Sequence, residues 1–176
     1  GQNVPTIDIH PTIIIQNYPP CHGGCADFFA QYQDAYETNS YTVSSIPFPN
    51  NTYSSFIELS LLDDTFQNVQ LPFNFCFYGN TYSSVNIGAN GVLNFGNFTY
   101  ACPWAYNTII PDVNFPIKNA IYGVYEDINP SQPPLGKIFY KTVGVVGPNR
   151  KFIINYQNIN LFQQSSDPQS FEIILY

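Results

Sequence analysis

Apolar side chains recur at every second position in short runs along most of this chain, the period of a half-buried strand rather than a helix. In Leu71–Phe77 the rings of Phe73, Phe75 and Phe77 share one face. Tyr78-Gly79-Asn80 breaks the run, and Val85 and Ile87 resume it. Asn90-Gly91 is a strong hairpin signal. A two-residue loop would set Ile87 opposite Asn94 and turn Leu93 to the other face. A three-residue loop, Ala89-Asn90-Gly91 with Gly91 in the left-handed region, sets Ile87 against Leu93 and Val85 against Phe95. Register follows the buried face, so the longer loop is predicted.

The same reading predicts strands at Tyr41–Ile46, Phe56–Leu61, Leu71–Phe77, Ser84–Gly88, Val92–Phe95, Ala120–Glu126, Lys137–Val143, Lys151–Gln157 and Phe171–Tyr176. Gly147-Pro148-Asn149 turns one strand into the next, where Phe152, Ile154 and Tyr156 form a buried face. Many short strands at this spacing indicate an all-β, antiparallel sandwich over residues 39–176. Residues 1–38 read as an irregular amino-terminal arm. Within it Thr6–Ile15 is strand-like, although Pro11 demotes it to an edge or loose arm, and Ala26–Tyr36 reads as a brief helix. Phe171–Tyr176 reads as a strand still in progress, so one or more further strands are expected beyond it.

PFNFCFYG, VNIGANGVLNFG, the following CPW, GVYEDINP and GKIFY occur in this order between Leu71 and Tyr140. Together they resemble the nidogen-type (NIDO-like) extracellular domain, over about Tyr41 to Tyr176. The form with both cysteines is similar to modules of very large surface proteins of gliding or biofilm-forming Bacteroidetes. The resemblance implies a β-sandwich near the amino end of a cell-surface adhesin. It also implies export through the type 9 secretion translocon, with glycans or proteins outside the cell as ligands.

Composition sharpens this picture. Aromatic residues make up 17% and charged residues only 10%, against roughly a quarter charged in a typical soluble domain. Fifteen prolines and eleven glycines oppose long helices. A formal charge of −7 with five basic residues, scattered singly except Arg150-Lys151, opposes nucleic-acid binding and adsorption to anionic lipid. No apolar run approaches the ~20 residues that span a bilayer. The absence of methionine leads to the expectation that a signal peptide is removed ahead of Gly1.

Four cysteines allow three pairings. Cys21 and Cys25 enclose His22-Gly23-Gly24, a loop able to close on itself. Cys76 lies in a strand and Cys102 just beyond the following hairpin. The predicted disulfides are Cys21–Cys25 and Cys76–Cys102, as suits an exported protein. The rival for the first pair is a metal site of Cys21, His22 and Cys25 with His10.

Catalytic chemistry finds little support. The carboxylate candidates are Glu126-Asp127, Asp63-Asp64, Glu58 and Asp112, but adjacent residues of a strand point to opposite faces and make a poor acid–base pair. No nucleophile elbow or phosphate loop occurs, so the chain is not expected to be an enzyme and no cofactor is required. Calcium is the metal considered, with Asp63, Asp64, Glu126, Asp127 and Asn129 near loops that offer oxygen ligands. The simpler expectation is that Asp63-Asp64 caps a turn. Trp104, with Tyr100 and Tyr106, is the candidate ligand-contact cluster. The simpler expectation there is a tryptophan packed under its own loop.

Overall fold

The computed structural model describes residues 12–14, 29–31, 43–45, 55–96, 101–104, 112–147 and 149–176. It is all strand among these residues, arranged as two antiparallel sheets face to face and a separate two-stranded pair. The pair joins β1 (Thr12–Ile14) to β2 (Phe29–Gln31). A strand therefore replaces the helix expected within Ala26–Tyr36. A short helix has a costly nucleus, and pairing with a β-branched partner satisfies the same backbone. No strand forms at Val43–Ser45, within the predicted Tyr41–Ile46, and these residues are exposed.

The smaller main sheet runs in the order β4 (Phe66–Phe77), β5 (Asn80–Gly88), β6 (Val92–Asn94), β7 (Ala120–Tyr122). β4 starts five residues earlier than the apolar pattern showed, because Gln67, Asn68 and Gln70 are exposed polar residues that interrupt the apolar alternation around Val69. Its register against β5 shifts between Gln70 and Phe75. Pro72 sits in that break on an edge strand, the place where a residue without an N–H is tolerated. Ile87 pairs with Leu93 across the β5–β6 hairpin, and Gly91 has φ 73°. The three-residue loop predicted from the buried face is the one that forms.

The opposing sheet runs β11 (Gln169–Leu175), β10 (Lys151–Leu161), β9 (Lys137–Val143), β3 (Ile57–Leu59), with β8 (Ile128–Asn129) on the far half of β10. β10 outlasts the predicted Lys151–Gln157 because its register shifts between Tyr156 and Ile159. Asn158 lies there at φ 51°, a bulge that swaps the inward face from even to odd positions. Phe152, Ile154 and Tyr156 point inward before it and Ile159 after it, all at most 1% exposed.

Between the sheets, Val85, Ile87, Leu93 and Phe95 pack with Ile138, Phe152, Ile154, Tyr156 and Leu175 in one apolar core. Phe73, Phe75 and Phe77 line its half-buried margin, and Phe75 and Phe77 lie 5.1 and 4.8 Å from Phe95. Tyr156 stacks on Phe171 at 4.3 Å, and its hydroxyl donates to the Gly88 carbonyl at 2.8 Å. That bond crosses the core from one sheet to the other. A second cluster, Val92, Cys102, Phe115 and Ile117, covers the outer face of the smaller sheet.

The predicted Cys76–Cys102 disulfide does not form: both are free thiols, Cys76 exposed and Cys102 buried. The reason is strand length. Cys76 pairs with Thr81 at one end of the β4–β5 hairpin, whereas the Cys102 amide donates to the Asp64 carbonyl beside the opposite end. At ~3.3 Å per residue β4 separates the two by several times the reach of a disulfide. The Cys102 sulfur fills the space beside Gly88, where a Cβ would come within 2.5 Å of it. Cys21 and Cys25, with His10 and His22, lie outside the described residues. Burial pushes the Cys102 thiol up to about 12, and the Asp64 charge adds to the shift. In native protein, alkylation followed by peptide mass mapping is expected to modify Cys76 and spare Cys102. Cys102 becomes reactive only in denaturant, and equal labelling of both in the folded state would contradict this structure.

Candidate functional site

Three loops meet at the tip of the β5–β6 hairpin. The turn before β4 carries Asp63 and Asp64, the segment after β6 carries Cys102 and Trp104, and the residues before β8 carry Glu126 and Asp127. Asn90, fully buried, ties all three together. Its side-chain amide donates to Asp64 Oδ1 at 2.7 Å and to the Cys102 carbonyl at 3.3 Å, while its oxygen accepts from the Ile128 amide at 3.1 Å. The Ala89 amide adds a bond to the Thr65 carbonyl at 2.9 Å.

This convergence brings together Asp63, Asp64 and Asp127, with one carboxylate oxygen of each within 4.8 Å of the others. All three are half-buried. Of the five residues considered for calcium, two stand apart. Glu126 is exposed, and Asn129 spends its side-chain oxygen on the amide and hydroxyl of Ser131 at 2.8 and 2.6 Å. The turn at Asp63-Asp64 is capped by Thr65 instead, whose hydroxyl accepts from the Leu62 amide and donates to the Leu62 carbonyl. Glu58 pairs with Lys137 at 3.0 Å, and Asp112 accepts from the Asn114 amide at 2.8 Å.

Mutual repulsion and desolvation govern this triad. Burial holds the Asp63 carboxyl above its usual range, and the Asp64 charge adds to it, partly offset by a backbone hydrogen bond from Asp64. Asp127 is likewise raised, first by burial and then by the charges of Asp64 and Asp63. Asp63 Oδ1 is buried with no hydrogen-bond partner. A shared proton or a hard cation can satisfy that oxygen. Calcium takes roughly six to eight oxygens, and the nearby carbonyls of Asp64, Thr65, Cys102 and Asp127 already accept hydrogen bonds. A cation here would be held by three carboxylates and water, without a closed shell of protein oxygens.

Exposed apolar residues lie on the segments that carry or adjoin the triad. Leu62, Trp104 and Phe162 are 65%, 50% and 40% exposed, and the Phe162 amide donates to the Asp127 carbonyl at 2.6 Å. Trp104 is thus half-exposed at the end of the sandwich, not packed under its loop beside a disulfide as the simpler expectation had it. Tyr100 and Tyr106 lie outside the described residues. Sequence reasoning missed Asn90, read only as a turn residue. It also missed a ladder of amides on the smaller sheet. Asn68 donates to Asn86 at 2.8 Å, Asn86 to Asn94 at 3.1 Å, and Asn94 to the Lys118 carbonyl at 2.8 Å. Asparagines at outward positions of three successive strands were the available signal.

Replacing Asn90 by Ala removes two buried hydrogen bonds and a part-buried one to a carboxylate. It is expected to cost about 2–4 kcal/mol in urea unfolding; a loss below about 1 kcal/mol would show that the loops hold without it. The triad contributes the opposite sign. The folded values of Asp63 and Asp127 are raised above 3.8, so their contribution to stability is present below that pH and lost as pH rises through the raised values. Asp127→Asn is therefore expected to raise the melting temperature at pH 7 by about 1–3 °C after solvent screening. The gain shrinks toward pH 4, and melts across that range check it.

The family model described as NIDO related matches residues 31–176. No curated protein and no solved structure matches the chain. The matched span holds both main sheets and the three-loop junction, and on it the chain belongs to the NIDO-related family.

Proposed function

We propose that this module is a non-enzymatic, extracellular display unit of a large adhesin-like protein of a Bacteroidetes-type cell surface, exported through the type 9 secretion system. Its role is surface adhesion, with gliding or biofilm formation as the output. The observation that carries the reading is the family match across 31–176, which suggests an extracellular module. The architecture supports it. Two sheets enclose one apolar core, while one end presents loops fixed by hydrogen bonds to the buried Asn90. Such a scaffold offers weak contacts that gain strength by repetition along a large polypeptide or cell surface. Glu126 and Asp127 point to different surroundings, which supports a role other than acid–base catalysis.

A carbohydrate-binding module is the second reading, favoured by the half-exposed Trp104 on the segment whose Cys102 bonds Asn90 at the junction that gathers the carboxylates. Indole faces stack on sugar C–H surfaces while carboxylates accept hydroxyl hydrogen bonds. For the first reading, an antibody against residues 39–176 is expected to label intact source cells. Disrupting the type 9 translocon should abolish the label, and deleting the module should reduce attachment to a surface. Label confined to permeabilised cells would refute it.

A further inference from the structure

Of the eight aspartates in the chain, only Asp167 precedes a proline. An Asp–Pro bond is the peptide bond most readily broken by its own side chain in mild acid. The carboxylate can reach the carbonyl carbon of the same residue and close a succinic-anhydride ring. Proline contributes a tertiary amide nitrogen, which takes up a proton more easily than a secondary one and so leaves more easily.

The bond lies in the loop between β10 and β11, where residues 162–168 are all exposed. Among the described residues no hydrogen bond or ion pair holds the Asp167 carboxylate, so the side chain is free to turn toward its own carbonyl. That carbonyl is already engaged: the Gln169 side-chain amide donates to it at 3.1 Å. Gln169 is the half-buried first residue of β11 and pairs with Ile159 of β10. The donor is therefore mounted on the sheet while the bond it touches lies in the loop. A donor fixed on a carbonyl oxygen stabilises the negative charge that gathers there as the carbon becomes tetrahedral.

We propose that the chain cleaves itself at Asp167–Pro168, with Asp167 as nucleophile and Gln169 as oxyanion donor. An Asp167 carboxylate lone pair forms a bond to the Asp167 carbonyl carbon, and the C=O electrons move to the oxygen held by Gln169. As that oxygen re-forms its double bond, the C–N bond breaks. Its electron pair goes to the Pro168 nitrogen, and hydronium supplies the proton. Water then opens the anhydride, leaving Asp167 as a carboxyl-terminal residue and Pro168 as a new amino end. One water is consumed, and nothing is oxidised or reduced. The reaction is a single event within one chain and is independent of the display role proposed above.

The fold retains both products. Gln132 holds the near side of the loop, donating to the Leu161 and Gln164 carbonyls at 3.2 Å each and accepting from the Gln163 amide at 2.8 Å. On the far side β11 stays paired with β10, with Phe171 stacked on Tyr156 and Leu175 buried in the core. The cut is thus a nick between two anchored ends, and β11 becomes a strand held by pairing and packing alone.

Incubation of the folded chain at about pH 4, near the ordinary carboxylate range, followed by intact-mass spectrometry, tests the proposal. Two products are expected, one ending at Asp167 and one beginning at Pro168, which co-elute in native gel filtration and separate in urea. The folded chain should be cut about tenfold faster than a synthetic peptide of residues 165–170, or than the chain unfolded in urea at the same pH. Gln169→Met keeps the side-chain length without the donor and should fall to the rate of the peptide, while Asp167→Ala should not be cut. Equal rates for folded chain and peptide, an unslowed Gln169→Met or a cut Asp167→Ala each overturn the proposal. So does a principal cut at any other bond. Should Gln169→Met fail to fold, the folded-against-unfolded comparison of the unaltered chain decides alone.

Discussion

One buried amide holds the three-loop end of this molecule in shape. Asn90 projects from a hairpin tip between the other loops and bonds the Asp64 carboxylate, the Cys102 carbonyl and the Ile128 amide with one side chain. An unpaired buried N–H or C=O is more costly than a made hydrogen bond is stabilising, so Asn90 couples the three loops to one another. The Asp63–Asp64–Asp127 triad exists because of this junction. Like charges would drift apart on free loops; here the turn before β4 and the start of β8, next to Asp127, are both anchored to the same residue.

The irregularities of the long strands matter as much as their pairing. The break in β4 places Pro72 where no ladder bond is lost, and the bulge at Asn158 lets β10 keep apolar residues inward across eleven positions. Without that bulge Ile159 would face solvent. The same register that buries Phe152, Ile154 and Tyr156 turns Lys151 and Asn155 to the opposite face, so both faces of the strand follow from one alternation.

Much of this was legible in the chain. Period-two runs located seven of the strands to within a few residues, and the buried-face argument chose the correct loop at Ala89-Asn90-Gly91, because those signals are local. What escaped was non-local. The polar start of β4 and the far half of β10 are strands only because partners exist for them, and the polar alternation there gives no period of its own. Phe29–Gln31 pairs as a strand for the same reason. The cysteine pairing failed on distance: proximity in sequence to the hairpin said nothing about which end of it each thiol would occupy. At the site, Asp63, Asp64 and Asp127 were identified by type, whereas Glu126 and Asn129 were grouped with them by sequence neighbourhood and are oriented elsewhere.

The junction also has a chemical consequence. An asparagine followed by glycine is the dipeptide most inclined to deamidate, since the glycine nitrogen can attack the side-chain carbonyl and close a succinimide ring. Asn90 precedes Gly91, yet its amide is clamped on both ends and shielded from water. Ring closure needs that side chain to let go of three loops first. The hairpin tip thus carries a slow clock that is stopped while the module is folded and starts only when its end opens.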